Sequence, residues 1–223
     1  MKRAASIVLA LVLIVLLDAF LVISCVGEAP DIDGPGDGDA GTEGGVAPSD
    51  GGDSATAPGD ASTAPGGGGR VLFVTSAAVT GNVTLAGADA TCNELAASGH
   101  AALQSKVFLA WLSAPDVAAR DRHAHGTGPY VRIDGAVVAM DWNELTSGTI
   151  REFIDRDETN ASVNYNVWTG TAADGSATGS SCGGWTSQSG SGTIGSTRLK
   201  GGAWTNALSL GCGSENHLYC IEK

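Results

Sequence analysis

The sequence predicts an α+β domain over residues 70–223, mostly antiparallel strands with one main helix and long loops pinned by disulfides. Three observations predict it. Short apolar, β-rich runs recur between Gly and polar punctuation. One window alone carries good helical periodicity. The last four of five cysteines bracket a Gly/Ser-rich stretch that would be floppy if left unpinned.

In chain order, "RVLFV" (Arg70 to Val74) and "KVFLAWL" (Lys106 to Leu112) read as strands. Between them lies the helix. In "GADATCNELAASG" (Gly87 to Gly99), Ala88, Cys92, Leu95 and Ala96 fall at i, i+4, i+7 and i+8, with Asp89 near the start and Gly99 at the end. "YVRIDGAVVAM" (Tyr130 to Met140) places two strand-like runs around Asp134-Gly135, a strong hairpin signal. A short helix is expected from Asp141, with Glu144 reaching back as in a capping box. "NVWTG" (Asn166 to Gly170) and "HLYCIE" (His217 to Glu222) supply two more strands, and Thr171 to Gly202 reads as irregular chain.

The chain before residue 70 sets an address. Lys2 and Arg3 precede an apolar run, Ile7 to Leu17 and Ala19 to Ile23, broken by Asp18 and closed by Ser24 and Cys25, the layout of an export signal. Val22, Ile23 and Ser24 before Cys25 resemble the bacterial lipobox, which implies cleavage after Ser24 and lipidation of Cys25. Read without cleavage, Ala4 to Ser24 is about long enough to span a bilayer. Either reading puts the remainder outside the cytoplasmic membrane. Residues 26–69 hold nine acids, no Lys or Arg and no aromatic residue, so nothing there offsets the ordering entropy and the segment is expected to be a disordered tether. A coil of that length spans roughly 35 to 40 Å.

In an exported chain Cys92, Cys182, Cys212 and Cys220 are expected to be oxidised, with three connectivities open to them. Cys25, taken as the lipid site, accounts for the odd count. The net charge of −12 overstates the acidity of the domain, because residues 70–223 hold 14 acids and 10 bases. No basic patch of the kind nucleic acid requires is present in the sequence.

Several segments together resemble the endostatin module of certain collagens and its bacterial relatives. They are "GADATC" at 87–92, "AWLSA" at 110–114, "ARDR" at 119–122, "DWNELTSG" at 141–148, "VWTGTAADG" at 167–175, "CGGW" at 182–185, Cys212 and "YCIE" at 219–222. Endostatin has a C-type-lectin-like fold with nested disulfides. The resemblance therefore implies that fold, with Cys92 bonded to Cys220 and Cys182 to Cys212.

The resemblance does not carry endostatin's binding chemistry across. Arg120, Arg122 and Arg132 are the nearest equivalent of its arginine cluster, and the histidine-rich N-terminus is replaced by glycines before Arg70. Asp121 matches a zinc-ligating acid, and His123 and His125 alternate beyond it, but exposed loop histidines are the expected outcome and no metal is assigned. The "AWTN" at 203–206 lacks the following Asp of calcium-dependent lectins, and calcium needs six or more oxygens. "GSSCG" at 179–183 matches G-x-S-x-G around Ser181 without the strand and helix a nucleophile elbow requires. Asn82-Val83-Thr84 and Asn160-Ala161-Ser162 are read as chance sequons.

Trp142, Trp168 and Trp185 match core-type aromatic positions of the endostatin family, so the resemblance implies that they are buried. Trp204, in the Gly-flanked "KGGAWTN", and its neighbour Asn206 are the contact residues chosen from the sequence. The expectation is therefore a lipoprotein of the bacterial cell envelope, at the outer membrane or cell surface. It would use no cofactor and would be a non-catalytic, lectin-like module for an extracellular protein or glycan.

Overall fold

A computed structural model describes residues 69–223. The expected signal segment, Cys25 and the tether up to residue 68 lie outside the described residues. The domain is mixed α+β and mostly strand. Eight strands form one sheet: β1 (Arg70–Val74), β2 (Phe108–Ala110), β3 (Tyr130–Arg132), β4 (Val137–Ala139), β5 (Asn166–Trp168), β6 (Ser191–Ser196), β7 (Leu208–Gly211) and β8 (His217–Glu222). Their order is β4-β3-β1-β8-β5-β6-β7, with β2 also paired to β8. Five strand pairings are antiparallel; β1 with β3 and β5 with β8 are parallel.

The apolar runs of β1 and β8 are continuous because both faces of the sheet are covered. Successive side chains point to opposite faces, and the burial follows that alternation. Leu72 and Val74 of β1 with Tyr219 and Ile221 of β8 join Trp111, Trp142, Trp204 and Tyr130 on one face. Phe73, Leu218 and Cys220 join α1 (Leu85–Ser98), Trp168 and Trp185 on the other. The first and last strands of the domain pair antiparallel at its centre, Leu72 opposite Ile221 and Val74 opposite Tyr219.

Helix α1 starts two residues before the expected window. The Thr84 hydroxyl caps it by accepting from the Gly87 amide at 3.0 Å, and Gly99 ends it. Asp89 accordingly falls in the second turn, where its carboxylate serves strand β2 instead of the helix N-terminus. The short helix α3 (Trp142–Leu145) begins at the expected place. Asp141 accepts from the Glu144 amide at 2.9 Å, while Glu144 reaches one residue further back than a capping box requires, to the Met140 amide. The expected hairpin is present as β3 and β4, with Gly135 at φ +86° in its turn.

Cys92 is bonded to Cys220 and Cys182 to Cys212, a nested pairing. The first bridge ties α1 to the last strand across 128 residues, the second closes a 30-residue span. In the chain-entropy account these contribute about 5 and about 4 kcal/mol. No helix among the described residues is long and apolar enough to cross a membrane.

Candidate functional site

The Gly/Ser-rich region is not irregular throughout, and its geometry follows from close packing. Gly192 and Gly195 let β6 approach its neighbours: a Cβ on Gly192 would lie 2.7 Å from Cys182 Sγ, and one on Gly195 would overlap the Trp204 carbonyl. Before β6 stands one turn, α4 (Cys182–Trp185), in which Cys182, Gly183, Gly184 and Trp185 all have positive φ. Two glycines adopt that conformation freely, while Cys182 and Trp185 each oppose it by roughly 1–2 kcal/mol. The turn is held by the Cys182–Cys212 bridge, by Trp185 Nε1 donating to Ser113 O at 2.8 Å, and by the Thr84 amide donating to Trp185 O at 2.7 Å.

This bracing fixes a polar, uncharged surface. Thr80 Oγ1 donates to Asn82 Oδ1 at 2.6 Å, and Gln188 Nε2 lies 3.2 Å from Thr80 Oγ1 and 3.3 Å from Asn82 Oδ1. Ser180 and Ser191 hydroxyls meet at 3.1 Å on the same loops. Residues 175–197 and 201–214 contain no charged residue. Ser181 is buried at the start of α4, directly before a bridged cysteine, and its hydroxyl has no histidine or carboxylate as hydrogen-bond partner.

Trp204 requires a correction. It is fully buried, and cannot be a contact residue. The Gly202–Trp204 turn drives the indole inward, with ring centroids 5.5 Å from Trp111 and 5.6 Å from Tyr219, and its backbone carbonyl accepts from Tyr219 Oη at 3.0 Å. The flanking glycines, read from the sequence as a sign of exposure, meet no close neighbour; the turn closes over β6 because Gly195 of that strand has no side chain, a Cβ there overlapping the Trp204 carbonyl. Asn206 is exposed beside it. Trp142, Trp168 and Trp185 are buried.

The "ARDRHAHG" residues do different jobs. Arg122, at the end of α2 (Ala119–Arg122), turns inward: Nη2 donates to both Asp89 carboxylate oxygens at 2.7 Å, and Nη1 to the carbonyls of Ala110 and Leu112. Arg132 pairs with Asp134 and Asp155, and Arg120 faces Asp174, so the three arginines do not form a free cationic cluster. His123 is buried 5.4 Å from Trp111, whereas His125 is exposed and stacks on Trp142 at 4.2 Å. Burial, and then the Arg122 charge, lower the His123 pKa from 6.5 to about 4. With Asp121 exposed and His123 inside, these three side chains do not converge, and no group of three or more metal-ligating side chains occurs among the described residues.

One feature had no signal in the sequence. Tyr165 and His217, on neighbouring strand segments, stack at 3.6 Å, with His217 Nδ1 2.7 Å from Thr75 O. Burial lowers the His217 pKa against the opposing effects of the Thr75 carbonyl and the Glu158 charge. Glu158 is itself buried, its carboxylate accepting from the Ser76 amide and hydroxyl. A parallel β5–β8 pairing brings residues 52 positions apart together here, and such long-range pairing leaves no local pattern to read.

No known protein-family profile matches the chain, and a search of curated proteins finds no match either.

Proposed function

We propose that the chain is an envelope lipoprotein, anchored through Cys25, whose domain is a non-catalytic C-type-lectin-like module that binds an extracellular protein or glycan. The observation that carries the reading is the braced loop surface. Loops rich in Gly and Ser are costly to order on binding, and here the order is built in beforehand by the Cys182–Cys212 bridge and the α4 turn. The groups so presented, Thr80, Asn82, Gln188 and the serines around them, are neutral donors and acceptors suited to hydroxyl- or amide-bearing ligands. The nested disulfides are the connectivity that the endostatin resemblance implies, which supports the lectin-like assignment.

The test is a screen of the oxidised protein against glycans and against envelope and matrix proteins, with and without chelator. Saturable binding that falls at least tenfold in the Gln188→Ala, Asn82→Ala double variant supports the reading. Binding to nothing, together with turnover of an ester or peptide that Ser181→Ala abolishes, overturns it.

A further inference from the structure

The sheet has three strands with an open side, and the chain treats them differently. On β2 the outward groups are taken up by side chains: Asn93 bonds both the amide and the carbonyl of Phe108, at 2.9 and 2.8 Å, Asp89 accepts from the Ala110 amide at 2.8 Å, and Arg122 donates to the Ala110 carbonyl at 2.8 Å. On β4 the Val138 carbonyl accepts from the Arg151 amide at 2.8 Å. On β7 no such cover exists among the described residues. The Cys212 amide donates to Gly190 O, which sets the alternation so that Leu208 and Leu210 bond inward to β6 and the Ser209 amide and carbonyl face outward. No described residue bonds them. A Cβ built on Gly211 would meet nothing within 4 Å, so the sheet face that Ser209 and Gly211 share is open at that position.

An exposed edge is ordinarily blunted by a charge, a proline or a bulge. Residues 201–214 contain neither charge nor proline, and the β6–β7 register runs without a shift from Leu208 to Gly211, with an irregularity just before it where the Ala207 amide also turns to Ile194 O at 2.7 Å. Leu208 instead lies 52% exposed on this strand, with Leu210 half-buried on the same side.

We propose that a second copy of this chain pairs on β7, antiparallel about a two-fold axis through Ser209. That register is self-complementary. Each Ser209 amide donates to the other's carbonyl; the Ala207 amide, which donates to Ile194 O at 2.7 Å, takes no part in the pairing. Leu208 of one copy falls opposite Leu210 of the other, in a non-hydrogen-bonded pair where side chains approach most closely. One shift therefore completes the bare backbone and covers the exposed leucine. In a chain of net charge −12, a charge-free edge is also where like-charge repulsion between copies is least. The interface is a single short strand, so the association is weak in dilute solution and strengthened where copies are concentrated on one surface.

The test uses the full oxidised chain carrying Ser209→Cys and a short bis-maleimide, with Ala97→Cys on the exposed face of α1 as the control. Two-fold pairing puts the residue-209 Cα atoms about 5.5 Å apart, within reach of the linker. The expected result is a cross-linked dimer at position 209 and not at 97, reduced at least tenfold when Leu208→Lys or Leu208→Glu is added. Cross-linking at 209 no greater than at 97 overturns the proposal. So does a dimer that both Leu208 variants leave unchanged, or cross-linking of position 209 to a different protein.

Discussion

His123 gives the sharpest energetic prediction. Its ring is 5% exposed, Nε2 lies 3.4 Å from Ala110 O, and Nδ1 is buried without a partner. The charged neighbours that act on it are Arg122 and Arg70, both cations; Tyr130, close to Arg70, is held neutral by burial. Protonation in the folded state would therefore place a further positive charge in a buried site where the nearby Asp89 carboxylate is already engaged by Arg122 and no carboxylate is hydrogen-bonded to the imidazole. With the folded pKa about 4 and the unfolded value 6.5, the native state binds fewer protons between those limits. The contribution to stability is thus full above pH 6.5, falls as the pH drops, and is exhausted below pH 4. A shift of 6.5 minus 4, at about 1.4 kcal/mol per unit, amounts to about 3 kcal/mol, of which about 2 is lost by pH 5. Carboxylates contribute to acid sensitivity as well, so the assay compares two proteins: urea unfolding of the oxidised wild type and of His123→Gln, at pH 7 and pH 5. The wild type should lose about 2 kcal/mol more than the variant over that interval. Parallel losses in the two proteins, or an NMR titration of His123 near 6.5, would refute the reasoning.

Four further outcomes follow from the packing. Gly195→Ala drives a Cβ into the Trp204 carbonyl and within 2.9 Å of Thr205 Cα, backbone atoms that cannot rotate away; a loss of about 3 kcal/mol or failure to fold is expected in a denaturant titration. Asp89→Asn leaves Arg122 without its carboxylate and should cost about 2 kcal/mol by the same measurement, with the loops that carry Thr80, Asn82 and Gln188 unchanged. Removing the second bridge with Cys182→Ala and Cys212→Ala should lower stability by about 4 kcal/mol and raise amide exchange across residues 171–190 before the rest of the sheet. Trp204→Ala should cost about 3–5 kcal/mol in unfolding, the signature of a core tryptophan.

Much of the fold was legible because its strongest elements have local causes. Val71 to Val74 in β1 and Leu218 to Ile221 in β8 run without a charged residue since both faces are covered, the Asp134-Gly135 turn carries its own φ requirement, and Cys92 sits on the helical stripe that faces the sheet. Strand β6, "SGTIGS", was not legible. Its glycines are selected by contact with Trp168, Trp204 and a disulfide from distant parts of the chain, and they erase the β-signal that the same strand would otherwise show. The burial of Trp204 is illegible for a related reason: glycines beside a tryptophan look like an exposed loop in sequence, whereas the glycine that permits the backbone approach burying the ring is Gly195, nine residues away on β6. Asp89 was placed correctly on the helix but its partner was not, because the carboxylate answers an open strand edge and an arginine 33 residues away.

The proposed function divides the labour among five cysteines, Cys25 for the anchor and the other four for the shape. Intact-mass and peptide mapping of the mature protein, recovered from the envelope and alkylated without reduction, tests it most directly. The account predicts a chain that begins at an acylated Cys25, contains no alkylated thiol, and yields the linked peptides Cys92–Cys220 and Cys182–Cys212. A chain that retains Met1 to Ser24, or a Cys25 that takes up the alkylating agent, would contradict it.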